Sequence, residues 1–231
     1  MNGFITPLKT KREIAQDTMA FEFEKPAKFD FIAGQTVDVT LGTRVYTFSI
    51  ASAPHEPVIR IATRMRNSEF KKELGRLTKG EKVRIQGPSG DFVLPKKFTQ
   101  RIAMLAGGIG ITPFLSIVSS ATRENFPHRL YLFYSNTTIA SAPFLKELEH
   151  IAAENSRFAL IPTITDKVST LWPYERGRVD GRMLTRHLGD LLSVRYYLAG
   201  PPGFVFAMRR ILDEKGVDED NIRTEEFSGY A

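Results

Sequence analysis

Up to about residue 95 the apolar positions recur at every second residue or in short unbroken runs. Thr18–Glu24, Thr36–Leu41, Val45–Ile50, Val58–Thr63 and Lys82–Gln86 each read as a strand. Clusters of proline, glycine and polar residues separate them, at 24–27, 41–43, 53–57 and 87–90. Strands this short and this closely spaced predict a small antiparallel barrel. One helix is expected among them, over Ser68–Leu77, with Ser68 as its N-cap. From Arg101 the pattern changes, and apolar strands alternate with helix-length segments. The strands are Arg101–Ala106, Leu130–Ser135, Phe158–Thr163, Arg195–Ala199 and Ile222–Phe227; the helices are Pro113–Arg123, Ala142–Ala153, Gly181–Leu188 and Gly203–Lys215. Such alternation predicts a parallel sheet with right-handed crossovers. The fold class expected is a two-domain β plus α/β chain: an antiparallel barrel over 1–97, then a Rossmann-like five-stranded parallel α/β domain over 98–231.

The sharpest local signal is LAGGIGITPFLS, residues 105–116, between the first parallel strand and its helix. A loop at the carboxyl end of such a strand is where ligands bind in these sheets. Gly107, Gly108 and Gly110 leave the backbone bare, Thr112 suits an N-cap, and Pro113 fits the first helical turn. The helix start adds a partial positive charge suited to phosphate. Pro113 stands where a third glycine would complete the dinucleotide fingerprint, so the loop alone reads equally as a tight turn. A second loop repeats the arrangement: LAGPPGFVFAMRRIL, residues 198–212, with Gly200, Pro201 and Pro202 between strand and helix. Two such loops in one parallel sheet line one crevice, and a dinucleotide is long enough to use both.

Composition narrows the chemistry. The chain of 231 residues is 42% hydrophobic, 25% charged and without cysteine. Disulfides, thiol nucleophiles and cysteine-bound clusters are excluded, so electron transfer would need an organic cofactor or a separate protein. The four histidines, at 55, 128, 150 and 187, lack metal-ligand spacing, and no metal is expected. Neither a signal-like N-terminus nor a membrane-length apolar run is present, so the expected location is cytoplasmic and no membrane partner is expected. The net charge of +6 is scattered and does not suggest nucleic acid, although it suits acidic partners.

In the barrel half, VYTFSIASAP places Tyr46 and Phe48 on one strand face and Ser49 on the other. An aromatic beside a hydroxyl suits a flavin ring, and also suits an ordinary core. RMRNSEFKKEL, residues 64–74, brings Arg64, Arg66, Asn67 and Ser68 to a helix start, which reads as an anion site or as a capped, solvated helix.

Together these segments resemble the ferredoxin–NADP reductase superfamily over nearly the whole chain. FIAGQTVDV is similar to its Phe-x-Pro-Gly-Gln segment, with Ala33 in place of proline, and GPSGDF to its Gly-Pro-x-Gly-x-Phe turn. GGIGITP resembles its nicotinamide-nucleotide loop, AGPPGF its Cys-Gly-Pro-Pro loop, and EEFSGY the C-terminal segment of stand-alone members. The resemblance implies a flavin-binding Greek-key barrel followed by a nicotinamide-binding domain, with FAD and NAD(P)H as cofactors and hydride transfer between them at the seam. Phe48, Tyr46, Ser49, Ile50 and Thr63 would border the flavin, with Ser49 near its N5. Arg64, Arg66, Asn67 and Ser68 would hold its diphosphate. Gly108, Gly110 and Thr112, faced by Gly200, Pro201 and Pro202, would take the nicotinamide nucleotide, and Glu226 and Phe227, or Tyr230, would close the site. Ser49, Glu226 and Phe227 are thereby the catalytic candidates.

Two departures stand out. The family's Arg-x-Tyr-Ser-x-x-Ser motif matches best at Phe48, Ser49 and Ser52, which puts Tyr46 where its diphosphate-binding arginine belongs; Arg44, two residues earlier on the same face, is a further candidate to reach the flavin diphosphate with its long side chain. Ala199 replaces the cysteine of the second loop. The neutral stretch Ser135–Ser141 leans towards NADH. The activity implied is transfer of electrons from NAD(P)H through FAD to a separate acidic carrier such as ferredoxin or flavodoxin. The missing arginine keeps open a flavin reductase that takes free flavin as substrate, and the two departures together a non-catalytic electron-transfer subunit.

Overall fold

The structure, a computed structural model, describes residues 3–95, 99–166 and 172–227. It divides into two compact units. One holds the described residues up to Leu94 together with Thr112–Arg123; the other holds the described residues of Pro95–Ile111 and from Glu124 onward.

The first unit is built on β1 (Phe4–Ala15), β2 (Thr18–Glu24), β3 (Thr36–Leu41), β4 (Arg44–Ser49), β5 (Val58–Arg64) and β6 (Lys82–Ser89), with α1 (Glu69–Arg76) between β5 and β6. Every pairing is antiparallel, in the order β4-β3-β6-β1-β2-β5, a barrel-like sheet that does not close. Its core is aromatic and β-branched, with Phe21, Phe23, Val37, Val39, Ile59, Ile61, Phe70 and Ile85 buried. β1 is the strand that the pattern did not predict. Its sequence, FITPLKTKREIA, buries only Thr6 and Leu8 through the side chain, so it carries no apolar alternation. β5 is buried almost throughout because its outward Arg60 is neutralised, by Glu22 at 2.9 Å and Glu56 at 3.0 Å. The helix α2 (Thr112–Arg123) belongs to this unit by its packing: Phe114 meets Phe92, and Ser116 Oγ donates to Ser52 O at 2.6 Å.

Two of the motifs behind the family resemblance have structural work here. A Cβ on Gly34 (φ +99°) would come within 2.0 Å of Phe92 O. Gln35 accepts from Ile32 N at 2.8 Å and donates to Gly90 O at 3.2 Å. The AGQ and GPSGDF segments therefore lock onto one another.

The second unit is a parallel sheet of β7 (Arg101–Gly107), β8 (Arg129–Asn136), β9 (Phe158–Ile164), β11 (Val194–Gly200) and β12 (Ile222–Glu226), the five strands expected, plus a two-residue β10 (Glu175–Arg176). The helices α3 (Leu145–Glu154), α4 (Gly181–Leu188) and α5 (Pro202–Glu214) connect them. The strand order is β10-β9-β8-β7-β11-β12. The chain therefore builds outward from β7 through β8 and β9, then returns to lay β11 against the other side of β7. Among the described residues no helix is long and apolar enough to cross a membrane, and no group of three or more metal-ligating side chains gathers.

Candidate functional site

In an open parallel sheet the crevice that takes ligands lies where the strand order reverses, at the carboxyl ends. Here that is the ends of β7 and β11, and the two glycine loops start there. GGIG forms a 3-10 turn, Gly108–Ile111. GPP forms the start of α5, with Pro201 at the N-cap and Pro202 at N1, one residue earlier than the sequence suggests, and no side chain caps the helix. Proline there forfeits no bond, since the first amides of a helix have no partner within it.

The glycines divide by role. A Cβ on Gly110 would sit 2.2 Å from Ala199 O and 2.6 Å from Gly200 N. One on Gly107 would strike the Phe204 ring at 2.8 Å, and one on Gly200 would press on Gly107 N and O at 3.1 Å. These three are bare so that the two loops interlock. Gly108 differs: its φ is +54° and nothing lies within 4 Å of where its Cβ would be. Gly203, in the first turn of α5, also faces open space. The open, bare backbone is thus Gly108 and Gly203, while Gly107, Gly110 and Gly200 hold it in place. Ala199 is fully buried. Thr112, expected as an N-cap, is instead the buried first residue of α2. The 3-10 turn runs straight into the helix, so its carbonyls precede α2 where a cap would have been needed.

β12 brings Glu226 and Phe227 to the same loop. Glu226 lies in register with Gly200, and Phe227 N donates to Gly200 O at 2.9 Å. Glu226 is exposed and lines a groove of about 580 Å³ with Phe206, Arg209 and Arg210 of α5. Tyr230 lies outside the described residues. At the end of β8, Asn136 is 6% exposed, and its Oδ1 is buried with no hydrogen-bond partner among the described residues. Nothing in the sequence pattern marks Asn136 as a buried acceptor. The turn that follows is closed by reciprocal bonds between Thr138 and Ser141.

The flavin candidates of the first unit gather where β4 crosses α1. Phe70 is the pivot, with its centroid 4.0 Å from that of Tyr46 and 6.0 Å from that of Phe48. Phe48 is 9% exposed, Ser49 2%, and Ile50 is fully buried. Ser52 closes the next loop, donating to Val58 O at 2.9 Å and accepting from Arg60 N at 3.0 Å. Thr63 is buried near the end of β5. Arg44 is tied to Glu73 of α1 at 3.6 Å.

At the start of α1, Ser68 caps the helix and accepts from Lys71 N at 3.4 Å, as expected of it. Arg66 and Asn67 are exposed and Arg64 is half-buried beside them. Lys71 was not anticipated. It is 6% exposed and shares the buried stripe of α1 with Phe70 and Leu74. Burial, and behind it the Arg66 guanidinium, push its pKa below the ordinary lysine range. A lysine inside the apolar spacing of EFKKEL was the available signal.

These residues fit both cofactors. The orphaned Asn136 acceptor and the open Gly108 and Gly203 suit a dinucleotide, and Arg64 and Arg66, without an ion pair among the described residues, stand at a capped helix start that suits a diphosphate.

The comparisons with known proteins agree in kind. Residues 104–210 match the oxidoreductase NAD-binding domain. The chain is 27% identical over 215 residues to the reductase component of propane 2-monooxygenase from Mycolicibacterium goodii, covering 88% of this chain and 61% of that one. It is 26% identical over 203 residues to a probable flavin reductase of Aliivibrio fischeri, covering 85% and 84%. The flavohem-like FAD/NAD binding domain of nitric oxide dioxygenase from Vibrio cholerae superposes with a TM-score of 0.86 at 19% identity, over 98% of this chain and 99% of that one. The chain spans about three fifths of the length of several curated relatives that it matches. Residues 104–210 therefore resemble an oxidoreductase NAD-binding domain, and the chain as a whole shares the fold of the Vibrio cholerae FAD/NAD binding domain.

Proposed function

We propose that the chain is a cytoplasmic NAD(P)H-dependent flavoprotein reductase, taking a hydride from a reduced nicotinamide nucleotide into FAD and passing electrons to a separate carrier of the ferredoxin or flavodoxin type. The observation that carries this reading is the pair of interlocked glycine loops at the strand-order reversal, open only at Gly108 and Gly203. FAD, when bound, supplies a hydride acceptor at N5 and can release electrons singly or in pairs. The protein's part is to bind and orient. Gly108, with the start of α5 at Gly203 just behind Pro201 and Pro202, receives the nucleotide diphosphate, and Gly110 and Gly200 keep that lip in position. Asn136 Oδ1 accepts from a ribose hydroxyl, which favours NADH over a 2′-phosphorylated nucleotide. Tyr46, Phe48 and Thr63 border the flavin, Ser49 sits near its N5, and Glu226 and Phe227 close the nucleotide side. The net charge of +6 suits an acidic carrier.

A second reading, a reductase of free flavin, is favoured by Tyr46 standing at the arginine position and by the diversion of Arg44 to Glu73. Purified protein mixed with FAD, passed through gel filtration and titrated anaerobically with NADH and NADPH separates the two. Retained yellow colour that bleaches supports bound FAD. Bleaching of added flavin that does not co-elute supports free flavin. No bleaching with either nucleotide overturns both.

A further inference from the structure

One side chain joins the two glycine loops. A Cβ on Gly107 would meet Cγ, Cδ1 and Cδ2 of Phe204 at 2.8, 3.0 and 3.1 Å, and one on Gly200 would meet Cδ1 of the same ring at 3.1 Å. The ring fills the space that side chains at the ends of β7 and β11 would take, and both positions are bare to admit it. Phe204 is partly buried and packs on the core of the second unit. Its place in the chain matters as much. Gly107 precedes Gly108, and Phe204 follows Gly203, so the ring links the neighbours of the two glycines that face open space. Pro201 and Pro202 have no N–H, and Phe204 N and Val205 N donate to Pro201 O at 2.8 and 3.1 Å. Gly203 N–H is therefore the amide that the start of α5 offers a ligand. Asn136, with its buried and unpartnered Oδ1, lies one residue beyond Ser135, the register partner of Gly107. A ring wedged between two backbones fixes their separation, because close-packed contacts transmit a displacement instead of absorbing it.

We infer that Phe204 is the positioning residue of the nucleotide crevice: its ring sets the separation of Gly108 from Gly203, so that one dinucleotide diphosphate meets both. It acts through the two loops. The inference rests on the nucleotide reading above. A charge-assisted amide bond to phosphate is worth about 10-fold in affinity or more, so shifting one lip weakens a ligand that spans both and spares a ligand that uses one.

The test is calorimetric titration with NADH and with AMP, half of the dinucleotide and too short to span both lips, using wild type, Phe204→Ala, Gly107→Ala and the double variant. Urea unfolding followed by Trp172 fluorescence keeps loss of fold apart from loss of spacing. Phe204→Ala should weaken NADH by about 10-fold and leave AMP within about twofold. Gly107→Ala, whose methyl pushes on the ring, should do the same. In the double variant the methyl meets no ring, so NADH affinity should stay within about twofold of Phe204→Ala instead of falling by the product of the two effects. NADH and AMP weakened equally, single effects that multiply in the double variant, or NADH affinity unchanged in Phe204→Ala each overturns the role of Phe204 while leaving the nucleotide reading intact. A wild type that does not bind NADH overturns both. Should Phe204→Ala fail to fold, Phe204→Leu, which keeps Cγ and loses the ring, carries the comparison of NADH with AMP.

Discussion

Gly110→Ala isolates the packing role of the first glycine loop. The added methyl would sit 2.2 Å from Ala199 O and 2.5 Å from its carbonyl carbon, against an ordinary carbon contact distance of about 3.5 Å. Something must therefore move by about 1 Å. The obstacle is main chain, at the end of a strand bonded to β7 on one side and β12 on the other, so it has little room to yield. Over-packing of this sort costs about 1–3 kcal/mol, and the backbone obstacle places it at the upper end. Loss of glycine's unfolded-state freedom returns about 0.5–1 kcal/mol, leaving a net destabilisation of about 2 kcal/mol, or about 4–8 °C in Tm for a chain of this size. The chain has one tryptophan, Trp172, buried in the second unit, so its fluorescence in urea reports that unit directly. Gly108→Asn is the control: asparagine tolerates a φ near +54° and meets nothing within 4 Å, so its midpoint should stay close to wild type. A Gly110→Ala midpoint equal to wild type, with unchanged slope, would refute the interlocked-loop account.

Other expectations follow from single contacts. Arg60→Ala strands Glu22 and Glu56, whose side chains are only 19% and 22% exposed, and should cost about 3 kcal/mol in urea unfolding, partly recovered when both acids become glutamine. The contact with His187 at 2.7 Å, and behind it Arg186, hold the Glu175 carboxyl below its ordinary range against the effect of burial. A depressed carboxylate contributes stability above its unfolded pKa of 4.5 and loses it as pH falls through the lower folded value. Glu175→Gln should therefore narrow the gap to wild type in acid unfolding below pH 4.5 and be the less stable protein, by about 0.5–1 kcal/mol, at pH 7. Ser49→Ala should slow flavin reduction in stopped-flow while FAD stays bound; unchanged kinetics would remove Ser49 from the reaction.

Much of the fold was legible because it rests on local repetition. Strands β2 and β3 and helix α4 have the ends expected of them, since alternation or helical spacing runs to both limits. β1 was not legible, because a strand with its side chains mostly in solvent has no reason to alternate. The two glycine loops could be found from composition, but composition does not say what bareness is for. Gly108 and Gly110 are two residues apart and identical in type, yet one is open and the other is pressed against Ala199. Lys71 was hidden for a related reason: a lysine next to another lysine reads as solvated surface until the helix is seated.

By itself the sequence determined the order of the strands and helices other than β1 and β10, the places where the chain must turn, and the absence of thiol chemistry, because each follows from neighbours along the chain. Tertiary structure alone decided which glycines face space, that Arg44 is taken by Glu73, that Asn136 keeps a buried oxygen without a donor, and that Lys71 is withdrawn from water. Burial and pairing depend on residues far apart in the chain, and no local pattern encodes which of them meet.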